Sequence, residues 1–132
     1  QVLLGGDGWE SEQLLQIGGE SLNGAYYSNH FAADNPDPRL QAFLKAFRAD
    51  YKVEPTSMAA QGYDSAKLLA DAINRSAEPT SENIKNAIAQ TKGFQGATGS
   101  LTIDPNHNAT KPIVVVQIKG KKFTYSTQVN AQ

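Results

Sequence analysis

The sequence has no cysteine, one methionine and one tryptophan, and no long apolar run. Without cysteine there is no disulfide framework, no thiol nucleophile and no thiolate metal site; the absence is compatible with export. No apolar stretch approaches the length needed to cross a bilayer. Charge of one sign is lacking too: 12 basic and 13 acidic residues leave a net charge of −1, without the basic stripe that nucleic acid requires. The two histidines, His30 and His107, stand alone in strand and turn contexts, without the partner one helical turn away that a helical zinc site needs. No phosphate loop, nucleophile elbow or dinucleotide fingerprint is present. Asp104, Asn106 and Asn108 open like a calcium loop, but Ala109 replaces the required glycine and Val115 the closing glutamate, so a polar turn is expected. Asn74-Arg75-Ser76 and Asn108-Ala109-Thr110 fit the glycosylation pattern, which is frequent by chance.

What is present is one domain's worth of chain, 132 residues with 39% hydrophobic content, enough to bury a core. The organising stretch is Gln1–Trp9, QVLLGGDGW. Val2, Leu3 and Leu4 form a short apolar run bounded by Gly5-Gly6, which reads as a buried strand of a parallel sheet. Ligands in open α/β sheets sit beyond the carboxyl ends of strands, where glycine permits close backbone approach. Asp7 there suits a cationic group, and Trp9 suits a wall. Equally, Asp7 can cap the following helix and Trp9 fill a core gap. With no initiator methionine or signal peptide and a start inside a strand, the chain is expected to be a fragment of a longer protein.

Further along, Ser11–Ile17 predicts a short helix ended by Gly18-Gly19, and Ala25–Phe31 a strand. Ala32–Pro38 is turn chemistry, a linker or hinge. Asp37-Pro38 starts a helix as N-cap and first helical residue, with Leu40, Phe43, Leu44, Phe47 and Tyr51 as its apolar stripe. Thr56 or Ser57 caps a longer helix reaching about Ser76, whose packing face is read as Met58, Ala59, Gly62, Tyr63, Ala66, Leu69, Ala70 and Ile73. A third helix is expected over Ser81–Thr91. The period then changes to two: strands at Ser100–Asp104 and Ile113–Ile118, and a hairpin through Gly120 to Phe123–Tyr125. The order is that of an α/β chain. Within it, Tyr63 can be core and Asp64 a residue favoured by the helix dipole. Asp7 with Glu10 or Asp64 could form an acid–base pair, but no nucleophile or metal set accompanies them, so the chain is read as non-enzymatic.

Taken in order, several segments resemble the C-terminal part of the periplasmic substrate-binding proteins of branched-chain amino acid ABC transporters. These are of the leucine/isoleucine/valine-binding type, with the type I periplasmic binding fold. The segments are Gly5–Trp9, Gly24–Tyr27 leading to Asp34–Pro38, Phe43, Phe47 and Tyr51, Ala59–Asp64, and Phe94–Gly99 before Leu101–Asp104. The resemblance implies an α/β fold with two lobes joined by crossing strands, closing on a small ligand by hinge motion. It assigns residues 1–35 to the second lobe, 36–108 to the C-terminal part of the first lobe, and 109–132 to the second lobe again.

By the same resemblance Asp7 matches the acid that pairs with the ligand's α-ammonium, and Tyr63 an aromatic residue lining the side-chain pocket. Gly8 and Trp9 adjoin Asp7 and are read as lining the cleft, with no family role carried over. In a water-poor cleft an ammonium needs a carboxylate partner, and its hydrogen bonds are charge-assisted. An acid at position 7 argues against uncharged amides and aromatic acids as ligands. The ligand's carboxylate is held, in the family, by hydroxyls and amides outside this sequence. The implied function is capture of an amino acid and delivery to an ABC permease, in the periplasm or outside the cell, with no cofactor. A ligand-sensing receptor domain of the same fold, or a small α/β enzyme using Asp7 as acid or base, are the alternatives. Such a segment leaves strand edges and apolar faces uncovered, so pairing with an N-terminal portion or swapping with a second copy is expected.

Overall fold

A computed structural model describes residues 1–130; positions 131 and 132, the end of the third expected segment, lie outside the described residues. The elements are β1 (Leu4–Gly5), α1 (Glu12–Gly18), β2 (Tyr26–Asn29), α2 (Pro38–Tyr51), α3 (Ser57–Arg75), α4 (Ser81–Ala89), β3 (Phe94–Gly96), β4 (Gly99–Ile103), β5 (Ala109–Thr110), β6 (Ile113–Lys119) and β7 (Lys122–Val129). One sheet has the order β1-β2-β6-β7, with β1 and β2 parallel and the other pairs antiparallel; β3-β4-β5 form a second, antiparallel sheet.

Local chemistry accounts for the element ends. Asp37 accepts a 2.8 Å hydrogen bond from Arg39 N, and Pro38 occupies the first turn of α2, where no amide partner is needed. Thr56, Thr80 and Ser11 cap α3, α4 and α1 through their hydroxyls. The β6–β7 hairpin turns at Gly120, whose φ of 59° is open to glycine at little cost. Asp104 Oδ1 accepts from both Asn106 N and Asn108 N at 2.8 Å, so this acid is spent on the polar turn.

Two cores result. Alternation along β6 buries Val114, Val116 and Ile118, which pack with Leu22, Ala25 and Tyr27; Trp9, Leu14 and Phe123 close over them. The α2 stripe buries Leu40, Phe43 and Leu44 against Phe31, Ala60 and Ala97. The chain passes between them at Phe31-Ala32, one residue in each core. Asp34 ties this crossing to β7 by accepting from Tyr125 N at 2.8 and 3.0 Å.

Several expectations need correction. Among the described residues β1 pairs only with β2, so the Val2–Leu4 run lies at the sheet edge of this chain, with Leu4 77% exposed. On α3 the residues that pack within this chain are Ser57, Ala60, Asp64 and Ala72, while Met58, Leu69 and Ile73 of the expected face stand exposed, Met58 by 68%. Asp64, whose carboxylate accepts from backbone amides of the β3–β4 turn, holds the inner side of the helix in place. Strands β3 and β5, at three and two residues, are too short to carry a period.

Candidate ligand-binding site

Parallel pairing of Leu4 with Tyr26 and Gly5 with Tyr27 brings the carboxyl ends of β1 and β2 to the same side of the sheet. Beyond β1 the chain makes a 3-10 turn, Asp7–Trp9, closed by Trp9 N donating to Gly6 O at 3.0 Å. The turn sends its two side chains opposite ways. Trp9 packs inward on the sheet core, its ring lying so close to Gly5 that a Cβ there would stand 2.2 Å from it. That close approach is what glycine at position 5 permits. Asp7 points outward, its side chain 53% exposed.

Asp7 Oδ2 lies 3.5 Å from His30 Nε2, just beyond the end of β2. The two flank a cavity of about 190 Å3 lined by Asp7, Ser28, Asn29, His30 and Ile113. It is smaller than the roughly 300 Å3 lower bound for a complete small-molecule pocket. It has the size and charge to take a small cationic group, not a whole ligand. Burial, and secondly the charge of Lys111, hold the His30 imidazole below its ordinary pKa of 6.5, outweighing Asp7 and Glu10, which act upward. His30 Nδ1 is buried without a hydrogen-bond partner among the described residues.

Lys111 is half-buried, and burial pushes its ammonium down from 10.5 while Asp64 acts against that shift. It donates to Thr98 Oγ1 at 2.7 Å, and the same hydroxyl donates to Asp64 Oδ2 at 2.7 Å. Asp64 also accepts from Ala97 N at 2.7 Å and Thr98 N at 2.8 Å. Asp64 is thus fully engaged with the β3–β4 turn and does not line the Asp7 cavity. Glu10 is engaged elsewhere as well: its Oε2 accepts from Ser57 N at 2.9 Å, at the N-terminus of α3. Neither acid joins Asp7 in a catalytic pair.

Tyr63, 41% exposed, packs against Phe43 with ring centroids 4.9 Å apart and planes tilted by 44°, and Lys67 Nζ lies 5.4 Å from its ring centroid. It does not line the Asp7 cavity. Gly8 is exposed, with open space where a Cβ would project. Of the residues read from sequence, Asp7 alone lines this cavity; Trp9 supports the turn from below. His30 and Lys111 were not among them. The usable signal was the parallel pairing itself, which places residues following both strands at one edge. Among the described residues no group of three or more His, Asp or Glu side chains could hold a metal.

Comparison with known proteins gives a consistent picture. A family model described as periplasmic binding protein matches residues 1–122. No curated protein sequence matches. Among solved structures, a leucine-binding protein of Thermotoga maritima is similar at 33% identity and a TM-score of 0.83, over 96% of this chain and 37% of that one. A branched-chain amino acid transporter substrate-binding protein of Streptococcus pneumoniae, in complex with isoleucine, is similar at 30% identity and a TM-score of 0.79, over 96% and 37%. A solute-binding protein of Rhodopseudomonas palustris in complex with benzoate shares the fold at 23% identity and a TM-score of 0.74, over 98% and 38%. The chain therefore spans a little over a third of the length of these structures.

Proposed function

The chain belongs to the periplasmic binding protein family, and from that membership we propose that it contributes part of the solute-binding component of an ABC importer. In this reading the protein captures an amino acid of branched-chain type between two lobes and delivers it to a permease, outside the cytoplasm and without chemistry on the solute. Residues 1–35 and 109–132 contribute to the second lobe, and residues 36–108 to the first. An N-terminal portion would complete both lobes and cover the apolar side chains left open on β1 and α3.

The observation that carries the proposal is the outward carboxylate of Asp7 at the end of β1, beside a cavity fit for an ammonium. An ammonium leaving water for a closed cleft needs such a partner, and the pair is charge-assisted. Tyr63, carried by the segment assigned to the other lobe, would wall the ligand side chain once the lobes close, and Gly8 and Trp9 would keep the approach to Asp7 open and rigid. The benzoate named with the Rhodopseudomonas protein has no ammonium, and Asp7 would repel its carboxylate; amino acids are the better match.

The test is calorimetric titration of the protein, completed by its N-terminal portion, with leucine, isoleucine, valine and benzoate. Saturable binding of the amino acids and none of benzoate is expected. Binding of benzoate alone would overturn the ligand assignment, and conversion of any of these ligands would restore the enzyme reading.

A further inference from the structure

His30 stands at the same cavity as Asp7, yet capture of an ammonium by Asp7 leaves it without a part. It sits at the end of β2, where its backbone N–H donates to Asn29 Oδ1 at 2.8 Å. The charged groups acting on it are Asp7 and Glu10 from the turn after β1 and Lys111 from the segment entering β6; Ile113 of β6 supplies an apolar wall. One ring nitrogen faces Asp7 at 3.5 Å; the other is buried with no hydrogen-bond partner among the described residues. A proton taken up by this ring has one carboxylate to lean on at the cavity, Asp7, which is also the carboxylate assigned to the ligand.

We propose that His30 is a positioning residue that competes with the ligand's ammonium for Asp7, so that a proton on His30 and a cation on Asp7 exclude one another. The proposal rests on the reading of Asp7 as the ammonium partner. With the ring neutral, Asp7 presents its full charge to the ligand. With the ring protonated, the imidazolium neutralises Asp7 and places a second cation where the ammonium must sit. By linkage, the ligand must then lower the proton affinity of His30 by the factor that the proton lowers ligand affinity. Because the imidazole is held below 6.5, affinity stays level above that pH and falls as pH drops through the His30 pKa. A single exclusive proton sets the limit at about tenfold per pH unit. The protein would hold its solute at neutral pH and loosen its hold in acid.

The test has two arms. In the first, the His30 ring is titrated by NMR in the completed protein and in its Asp7→Asn variant; loss of the carboxylate lowers the His30 pKa by about half a unit or more. In the second, leucine affinity is measured at pH 8 and at one pH unit below the His30 pKa read in the first arm, in the completed protein and in His30→Gln, which keeps an amide near Asp7 but cannot titrate. The affinity ratio between those two pH values is expected to exceed that of His30→Gln by about tenfold. Unchanged His30 titration in Asp7→Asn, or equal affinity ratios in both proteins, would overturn the proposal. If leucine fails to bind at any pH, the ligand assignment falls, and the first arm alone decides whether His30 and Asp7 are coupled.

Discussion

Gly96 lies so close to the Asp64 carboxylate that a Cβ added at Gly96 would stand 2.5 Å from Oδ2. The contact is the centre of the clamp that joins α3 to the β3–β4 turn. With no side chain at 96, the carboxylate reaches the amides of Ala97 and Thr98. The pair is therefore expected to be coupled. Gly96→Ala should cost about 1–3 kcal/mol through overpacking. Asp64→Ala should cost about 2–3 kcal/mol by leaving buried amides unpaired. In the double variant the added methyl enters the space the carboxylate vacated, so the combined loss should fall short of the sum by at least about 0.5 kcal/mol. Urea unfolding of the four proteins checks this; strict additivity would mean that the two residues act separately.

Leu44 is completely buried in the α2 core, packed with Phe31, Phe43, Ala60 and Ala97. Leu44→Ala should destabilise by about 2–5 kcal/mol, combining lost burial with the cavity left behind. Equilibrium denaturation reads this directly, and a loss under about 1 kcal/mol would indicate that this core collapses to fill the space.

Asp37 caps α2 and pairs with Arg39, whose side-chain hydrogen bond is the main reason its carboxyl is held below the usual 3.8. A carboxyl lowered in the folded state adds stability above its unfolded pKa, and that stability is lost as pH falls through the folded value. Asp37→Asn keeps a capping oxygen but not the charge. It should be less stable than the parent by about 0.5–1 kcal/mol at pH 7. The gap should close below pH 3.8. Denaturation at neutral pH and at an acid pH near the limit of folding gives both values; a gap that survives acidification would assign the effect to something other than the charge.

Glu10 accepts from Ser57 N at the head of α3, 47 residues away in sequence. This charge meets the positive end of the helix dipole and joins the site turn to the helical half. Glu10→Gln keeps an acceptor without the charge and should weaken the first turn of α3 by about 0.3–1 kcal/mol. Amide hydrogen exchange at Ser57 should quicken by a few-fold, while Leu44, in the core, should be unaffected.

Much of the fold was legible because it is written in local chemistry. Asp37-Pro38 marks the start of α2, Thr56 the start of α3, and Gly120 the β6–β7 hairpin. What was not legible depends on distant partners. The inward face of α3 is set by Asp64 finding amides 33 and 34 residues away, which no helical period contains. Val2–Leu4 reads as a buried strand yet is exposed in this chain, because which strands flank it depends on partners that composition does not name. His30 looked solitary because its acid lies 23 positions upstream and arrives only through the pairing of β1 with β2. Asp7 stands out in the sequence because a carboxylate after a glycine-bounded strand is itself a local signal.

The most direct test of Asp7 as the ammonium partner is leucine affinity, by calorimetry, in the completed protein and in Asp7→Asn. Removing the charge that meets the ammonium should cost about 2 kcal/mol or more, roughly a thirtyfold loss of affinity. An Asp7→Asn protein that binds leucine as tightly as the parent would show that the ammonium is held elsewhere, and would contradict a binding role for the first strand and its turn.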